Sequence, residues 1–358
     1  PDLRSRLSSA EQLQLDYLAG EAKTLKALSY LQLLQLFATP YDDAEHTGGI
    51  ILKDRVEREE LPRSTKAETV QAIERLLKEA LTAFDTTTRP PYGSAPGFVN
   101  AATARALLAR LYLYAGDWAK AEEVTRTLVP AMLSASMIPT TPLAWSQGAS
   151  TIALFASSVP VTYYNSIYAQ AKSATNATYQ LPQRSYLAST DLRHRSYALD
   201  STLQVDATTT RSLQIIGKYA AFLFAGGLPS YNCVVRTTEP IFLRAEALAR
   251  SGDETAARDL LNSYLRLVGA DEVASTVTGS ALIDAIIAEK AREFAGEGLR
   301  FFDLKRLGLP IEHYTPNEER VSLTLPAGSY KRTLPLPASE RSNKNLGAQN
   351  PGWPELTH

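Results

Sequence analysis

The chain has 358 residues, 44% of them apolar and 21% charged, which is enough to bury a sizeable core in about two units of ~150 residues or in one extended unit, and excludes a disordered tail. Thirty-seven Lys and Arg against 38 Asp and Glu leave a formal charge of -1, which argues against a nucleic-acid surface and against electrostatic docking on a membrane. Cys233 is the single cysteine, and His46, His194, His313 and His358 stand too far apart for a short metal motif, so no disulfide, metal or cofactor is expected.

In chain order, Ser8 followed by Glu11 satisfies two orphan donors of a helix start, and the helix from about residue 9 carries Leu25, Leu28, Leu31 and Leu36 until Pro40 ends it. Gly20 inside it costs about 1 kcal/mol relative to Ala, which predicts a close helix contact. Residues 38–62 have no period and read as a loop. Thr65 and Glu68 open a second helix with Val70, Ile73, Leu77 and Leu81 on one face. After the break at 89–93, helical spacing runs from Asn100 to Tyr114. Gly116 suits a left-handed end, and Asp117 caps a further helix from Trp118 to about Val129. The same hairpin recurs at 243–261, where Ala245, Gly252 and Ala257 match Ala109, Gly116 and Ala121. Small residues at those positions let antiparallel helices approach, as in the tetratricopeptide repeat. A helix from Ser280 to Phe294 follows, and the Pro-punctuated end of the chain reads as a tail that wraps the helical body. No stretch reaches the ~18 apolar residues of a membrane helix, and Pro1 to Arg6 offers no signal-peptide core.

Residues 131–237 differ in kind: Ser, Thr, Ala and Tyr dominate, periodicity is weak, and 151–155 and 212–216 read as short strands. The expected organisation is a helical scaffold over 1–130, a loop-rich insert over 131–237, and a second helical scaffold with the tail over 238–358. Tyr163, Tyr164, Asn165 and Tyr168 with Trp145 in the insert, and Tyr41 with Asp42 in the first loop, combine flat faces with polar donors and acceptors. A sugar ring offers an apolar face to stack on and a rim of hydroxyls, so these residues are the candidate ligand site.

Glu289, Glu293 and Glu297 share one helical face and invite an acid–base reading. Glycosidase chemistry needs two carboxyls facing each other across a gap, which one helix does not supply. With Lys290, Arg292 and Arg300 nearby and Asp303 three residues beyond Arg300, the triplet reads as a structural ion-pair cluster. No nucleophile elbow is present, and Cys233 reads as a small core residue. No catalytic residue is assigned.

The order of motifs resembles the RagB/SusD family of nutrient-binding outer-membrane lipoproteins of Bacteroidetes. The residues that carry the resemblance are Gly20 to Tyr30, Arg63 to Val70, Ala104 to Trp118, Ile241 to Ala247, Glu293 to Leu304, and Leu336-Pro337 through Asn345 to Gln349-Asn350-Pro351-Gly352-Trp353. Lys26 stands where the family usually has Arg. The resemblance implies a mainly α fold, a SusD-like superhelix of tetratricopeptide-like hairpins with an irregular ligand-binding insert. It also implies a non-enzymatic surface protein that delivers oligosaccharides, or peptides, to a TonB-dependent transporter of the SusC type. Membrane attachment would run through an N-terminal lipid absent from this chain, and nucleic acid is not an expected partner. The alternative from the hairpins alone is a tetratricopeptide scaffold that holds a partner's peptide.

Overall fold

The computed structural model describes residues 3–57, 59–86, 97–141, 144–145, 151–157, 180–182, 185–204, 206–218, 230–314 and 321–355. Helix α1 (Ser9–Phe37) begins at the expected box, with the Ser8 amide donating to Glu11 at 2.8 Å. Its buried face, including Gly20, Ala27, Leu31 and Leu34, packs on α2 (Lys66–Thr86). A β-carbon on Gly20 would lie 3.1 Å from the Phe84 ring and 3.3 Å from the Ala80 carbonyl, so the close contact predicted at this glycine is present.

Helix α3 (Ala101–Ala115) starts at Asn100 and ends at Gly116, whose φ of 77° is the left-handed conformation that lacks a penalty only without a β-carbon. Asp117 then caps α4 (Trp118–Arg126) by accepting from the Lys120 amide. This helix stops short of Val129, and the Thr125 hydroxyl bonds back to the Ala121 and Glu122 carbonyls in its last turn. The second hairpin comprises α5 (Glu239–Arg250) and α6 (Glu254–Val268), the latter capped by Asp253. Although the insert separates the hairpins in sequence, α4 packs directly on α5, and Arg244 meets Glu122 at 3.0 Å across the joint. Arg110 of α3 meets Glu239 of α5 at 2.5 Å. Helix α7 (Gly279–Glu293) closes on α5 and α6, and α8 (Arg300–Arg306) follows.

Among the described residues the core forms two clusters. One joins α1, α2 and α3 through Leu31, Ile73, Leu107 and Leu111; the other joins α5, α6 and α7 through Phe242, Tyr264, Leu282 and Phe294, and takes in Trp145 and Tyr197 from the insert. Among its described residues the insert carries four strands in two antiparallel pairs: β1 (Thr151–Ser157) with β4 (Ser230–Arg236), and β2 (Ala198–Gln204) with β3 (Thr210–Ile216). The strands expected at 151–155 and 212–216 are thus present. Their partners, and a third pair, β5 (Ile311–Tyr314) with β6 (Val321–Leu325), were not foreseen. Cys233 lies half-buried in β4, where it packs against the second core cluster and borders a cavity. Helices dominate, so the fold is mainly α. Among the described residues no helix is long and apolar enough to cross a membrane.

Candidate functional site

The first loop is positioned by the way α1 ends. The last carbonyls of a helix lack intrahelical partners and carry the negative end of its dipole, and here side chains from three other segments cap them. Lys305 of α8 donates to Gln35 O at 2.8 Å and Ala38 O at 2.7 Å; Arg63 and Asn350 both donate to Phe37 O; the Leu334 amide donates to Leu36 O. Lys66, at the start of α2, donates to Pro40 O, Asp43 O and the Thr39 hydroxyl. These bonds weld the first loop to α2, α8 and the tail. Burial, with Arg332 and Lys66 close by, brings the Lys305 ammonium down to a pKa of about 7.

Between this loop and the turn at 327–333 lies a hollow of about 340 Å³. Its loop side carries Thr39, Asp42, Asp43 and His46, and its far side carries Tyr330 and Arg332. Partial burial works to raise the Asp43 pKa, but bonds from the His46 ring, 3.0 Å away, and the His46 amide outweigh it, and the carboxyl lies below its usual range. Tyr330 is 42% exposed. Its ring stands edge-on to Trp353, centroids 5.1 Å apart, and the Trp353 indole donates to Thr333 O at 2.8 Å. Gly352 makes this contact possible: a β-carbon there would fall 2.4 Å from the Tyr330 ring. A larger cavity of about 690 Å³ lies on the other side of the loop, between Tyr30, Leu33 and Phe37 of α1 and Leu336 and Asn343 of the tail. The tail is held there by Asn343 and Asn345, which donate to Leu61 O at 2.9 Å and Glu60 O at 2.6 Å.

The candidate residues fare differently. Asp42 is exposed and lines the hollow. Tyr41 turns away from it and packs its ring on Tyr114 at 5.7 Å, against the first core cluster. Trp145 corrects the expectation of a ligand platform: it is 4% exposed, stacked edge-on to Tyr197, with the Arg236 guanidinium 4.5 Å and the Lys218 ammonium 5.2 Å from its ring centroid. The burial and the two neighbouring cations suit a brace at the root of the insert. The structure therefore places Tyr41 and Trp145 in different clusters and does not bring them together. Tyr163, Tyr164, Asn165 and Tyr168 lie outside the described residues. Tyr330, Arg332 and Trp353 were missed. The polar-tipped aromatic criterion applied to the insert would have found Tyr330 and Trp353 had it been applied to the tail.

The acidic triplet is an ion-pair cluster, and its main counter-charges come from the insert rather than from its own helix. Glu293 is fully buried and accepts from Arg236 at 2.5 Å, Thr238 at 2.8 Å and Tyr197 at 3.1 Å, and from Tyr264. Glu289 meets Arg193 at 2.7 Å and Arg292 at 2.6 Å; Glu297 meets Lys218 at 2.5 Å and Arg236 at 2.9 Å. Asp303 is held by Lys290 at 2.9 Å and by Arg306 at 2.7 Å. Burial alone would raise the Glu293 pKa, but Arg236, Arg193 and Lys218 overcome it and hold it at about 2. A carboxylate so firmly ionised and enclosed does not exchange protons with a substrate.

Comparison with known proteins converges on this architecture. The sequence model of the SusD family matches residues 161–353, more than half of the chain. The chain belongs to the SusD family. Among solved structures, a SusD superfamily protein from Bacteroides vulgatus is 23% identical, with 98% of this chain and 80% of that one covered at a TM-score of 0.72. A protein described as a SusD-like carbohydrate binding protein, also from Bacteroides vulgatus, is 20% identical over 95% of this chain and 78% of that one, TM-score 0.72. A SusD superfamily protein from Bacteroides thetaiotaomicron is 20% identical over 96% and 80%, TM-score 0.73. At these identities the likeness establishes the shared SusD fold. No curated protein matches the chain.

Proposed function

We propose that this SusD-family chain binds oligosaccharides at the cell surface and passes them to a TonB-dependent outer-membrane transporter of the SusC type, attached to the membrane through an N-terminal lipid and catalysing no reaction. The observation that carries this reading is the family match over 161–353, which spans much of the insert, the second helical half and the tail; a structurally similar family member is described as carbohydrate binding. The geometry supports it in two ways. The acidic triplet is consumed in ion pairs, which leaves it no catalytic work. The hollow beside Asp42 and Tyr330 offers an exposed aromatic ring beside polar groups, the mixture a sugar ring requires. In this reading the helical hairpins are the frame, and the first loop and the 131–237 insert, with Tyr163, Tyr164, Asn165 and Tyr168, select the ligand. Modest affinity is expected, because shallow wet sites order few groups and the cargo must be released.

Titration with a panel of neutral and acidic oligosaccharides and of peptides tests this. Micromolar to millimolar glycan binding is expected, weakened about tenfold, ~1.4 kcal/mol, by Tyr163→Ala or Tyr164→Ala with thermal stability unchanged. Peptide binding in the absence of glycan binding would overturn the carbohydrate assignment.

A further inference from the structure

Lys305 is buried among other cations. Its side chain is 3% exposed, and its Nζ donates to Gln35 O and Ala38 O at the end of α1. Ala38 O also accepts from the Thr333 hydroxyl, and buried Arg332 donates to Leu304 O, the carbonyl just before Lys305. Lys66, buried as well, reaches the next carbonyls along, Pro40 O and Asp43 O. The three cations thus clasp the end of α1, the first loop, α8 and the 327–333 turn together, and among the described residues none of the three forms a salt bridge with a carboxylate.

The charged groups of every neighbouring element bear this out. Where Lys305 meets it, α1 offers only carbonyls; the start of α2 brings Lys66, with Arg63 just before it, and the turn brings Arg332. The first loop carries Asp42 and Asp43, which act on Lys66, and His46, which holds Asp43. On α8 itself Asp303 is taken by Lys290 and Arg306, and Arg306 by Glu246. The Tyr114 hydroxyl near Thr39 O is pushed up by burial and stays protonated. The negative end of α1 favours a charged Lys305, while lost hydration and the repulsion of Arg332 and Lys66 oppose it. A neutral amine still has two N–H groups, enough for both carbonyls, so losing the proton removes the repulsion without giving up a hydrogen bond.

We propose that Lys305 is a pH-operated latch for the first loop: while it carries its extra proton, Arg332 and Lys66 repel it and the loop and the 327–333 turn part more readily; once that proton leaves, they hold together around the hollow of about 340 Å³ between them. The latch works whatever the hollow binds. Opened to water, the amine returns to its ordinary pKa of 10.5, against about 7 in the closed state. Between those values opening takes up one proton, so each unit fall in pH makes opening about tenfold easier; below the closed-state value both states are protonated and the dependence stops.

Amide exchange of the full chain between pH ~6 and ~9, corrected for intrinsic rates, tests this at Ala38, Asp43, Thr333 and Leu334, whose N–H groups are bonded within the clasp. Their protection should be level up to pH ~6.5 and then rise, approaching tenfold per unit above pH ~7, while amides of α2 and α3 do not follow. Lys305→Met keeps the apolar stem and cannot titrate, so protection at the same amides should be level throughout. Should that variant fail to fold, carbon NMR titration of the Lys305 Cε in the parent chain decides, with a midpoint well below that of exposed Lys344 expected. Level protection in the parent chain, a rise shared equally by α2 and α3, or titration of Lys305 alongside Lys344 would each overturn the proposal. A slope of the same size in Lys305→Met would also overturn it and assign the effect to Lys66.

Discussion

Glu293 is the residue whose removal should be felt most. It is fully buried and holds Arg236, Tyr197, Tyr264 and Thr238 around it. Its folded-state pKa of about 2 lies below the ordinary 4.5. A carboxyl depressed in this way contributes stability that is fully present above pH ~4.5 and is lost as pH falls toward 2, roughly 3 kcal/mol in all. Glu293→Gln leaves Arg236 with one anionic partner fewer in a low-dielectric interior, so a loss of about 3–5 kcal/mol at pH 7 is expected from urea unfolding. The difference from the parent should narrow below pH 4. A loss under ~1 kcal/mol, or one that does not change between pH 5 and 2.5, would mean the cluster does not anchor the insert.

At the scale of elements, the tail is a strap rather than an appendage. It is tied to α1 through Asn350 and Leu334, to the first loop through Asn343 and Asn345, and to itself through Gln349, whose side chain bonds both the amide and the carbonyl of Leu336. Gly352, with φ of 76°, lets Trp353 brace Tyr330 from behind. Gly352→Ala should both strain the backbone and push into the Tyr330 ring, costing about 1–3 kcal/mol. Amide exchange in 327–353 should accelerate while that of α2 and α3 stays as it was; uniform acceleration would show that the strap is not a separate unit. Much at this scale is legible in sequence, because capping and helix ends are local chemistry: Ser8, Asn100, Gly116, Asp117 and Asp253 act where their neighbours say they should. Strands β2 and β4–β6 are less legible, since short two-stranded pairs depend on partners distant in sequence and leave little periodicity.

At the scale of the whole molecule, the irregular insert is interlocked with the helical frame: Trp145 and Tyr197 sit in the second core cluster with α5, α6 and α7. The hairpins α3/α4 and α5/α6 stack as neighbours across the insert, and the insert is rooted by Arg193, Lys218 and Arg236 on the face of α7 and the segment beyond it. This joint was invisible in sequence. The three cations lie far along the chain from the carboxylates they meet, so the triplet was legible as structural, but its partners were not. Likewise Asp42, singled out in the first loop, lines a hollow, whereas Tyr330 and Arg332 reach the same hollow from the other end of the chain. Trp145 shows the converse error: an aromatic in a loop-rich segment is as able to seal a root as to hold a sugar, and its burial decides for the root.

Hydrogen exchange on the full chain, with and without a saturating oligosaccharide, tests the division between frame and site most directly. Protection confined to the first loop, the 327–333 turn and the insert, with α3 to α7 unchanged and the ligand recovered uncleaved, is the predicted result. Protection centred on the helical hairpins, or recovery of shortened ligand, would contradict it.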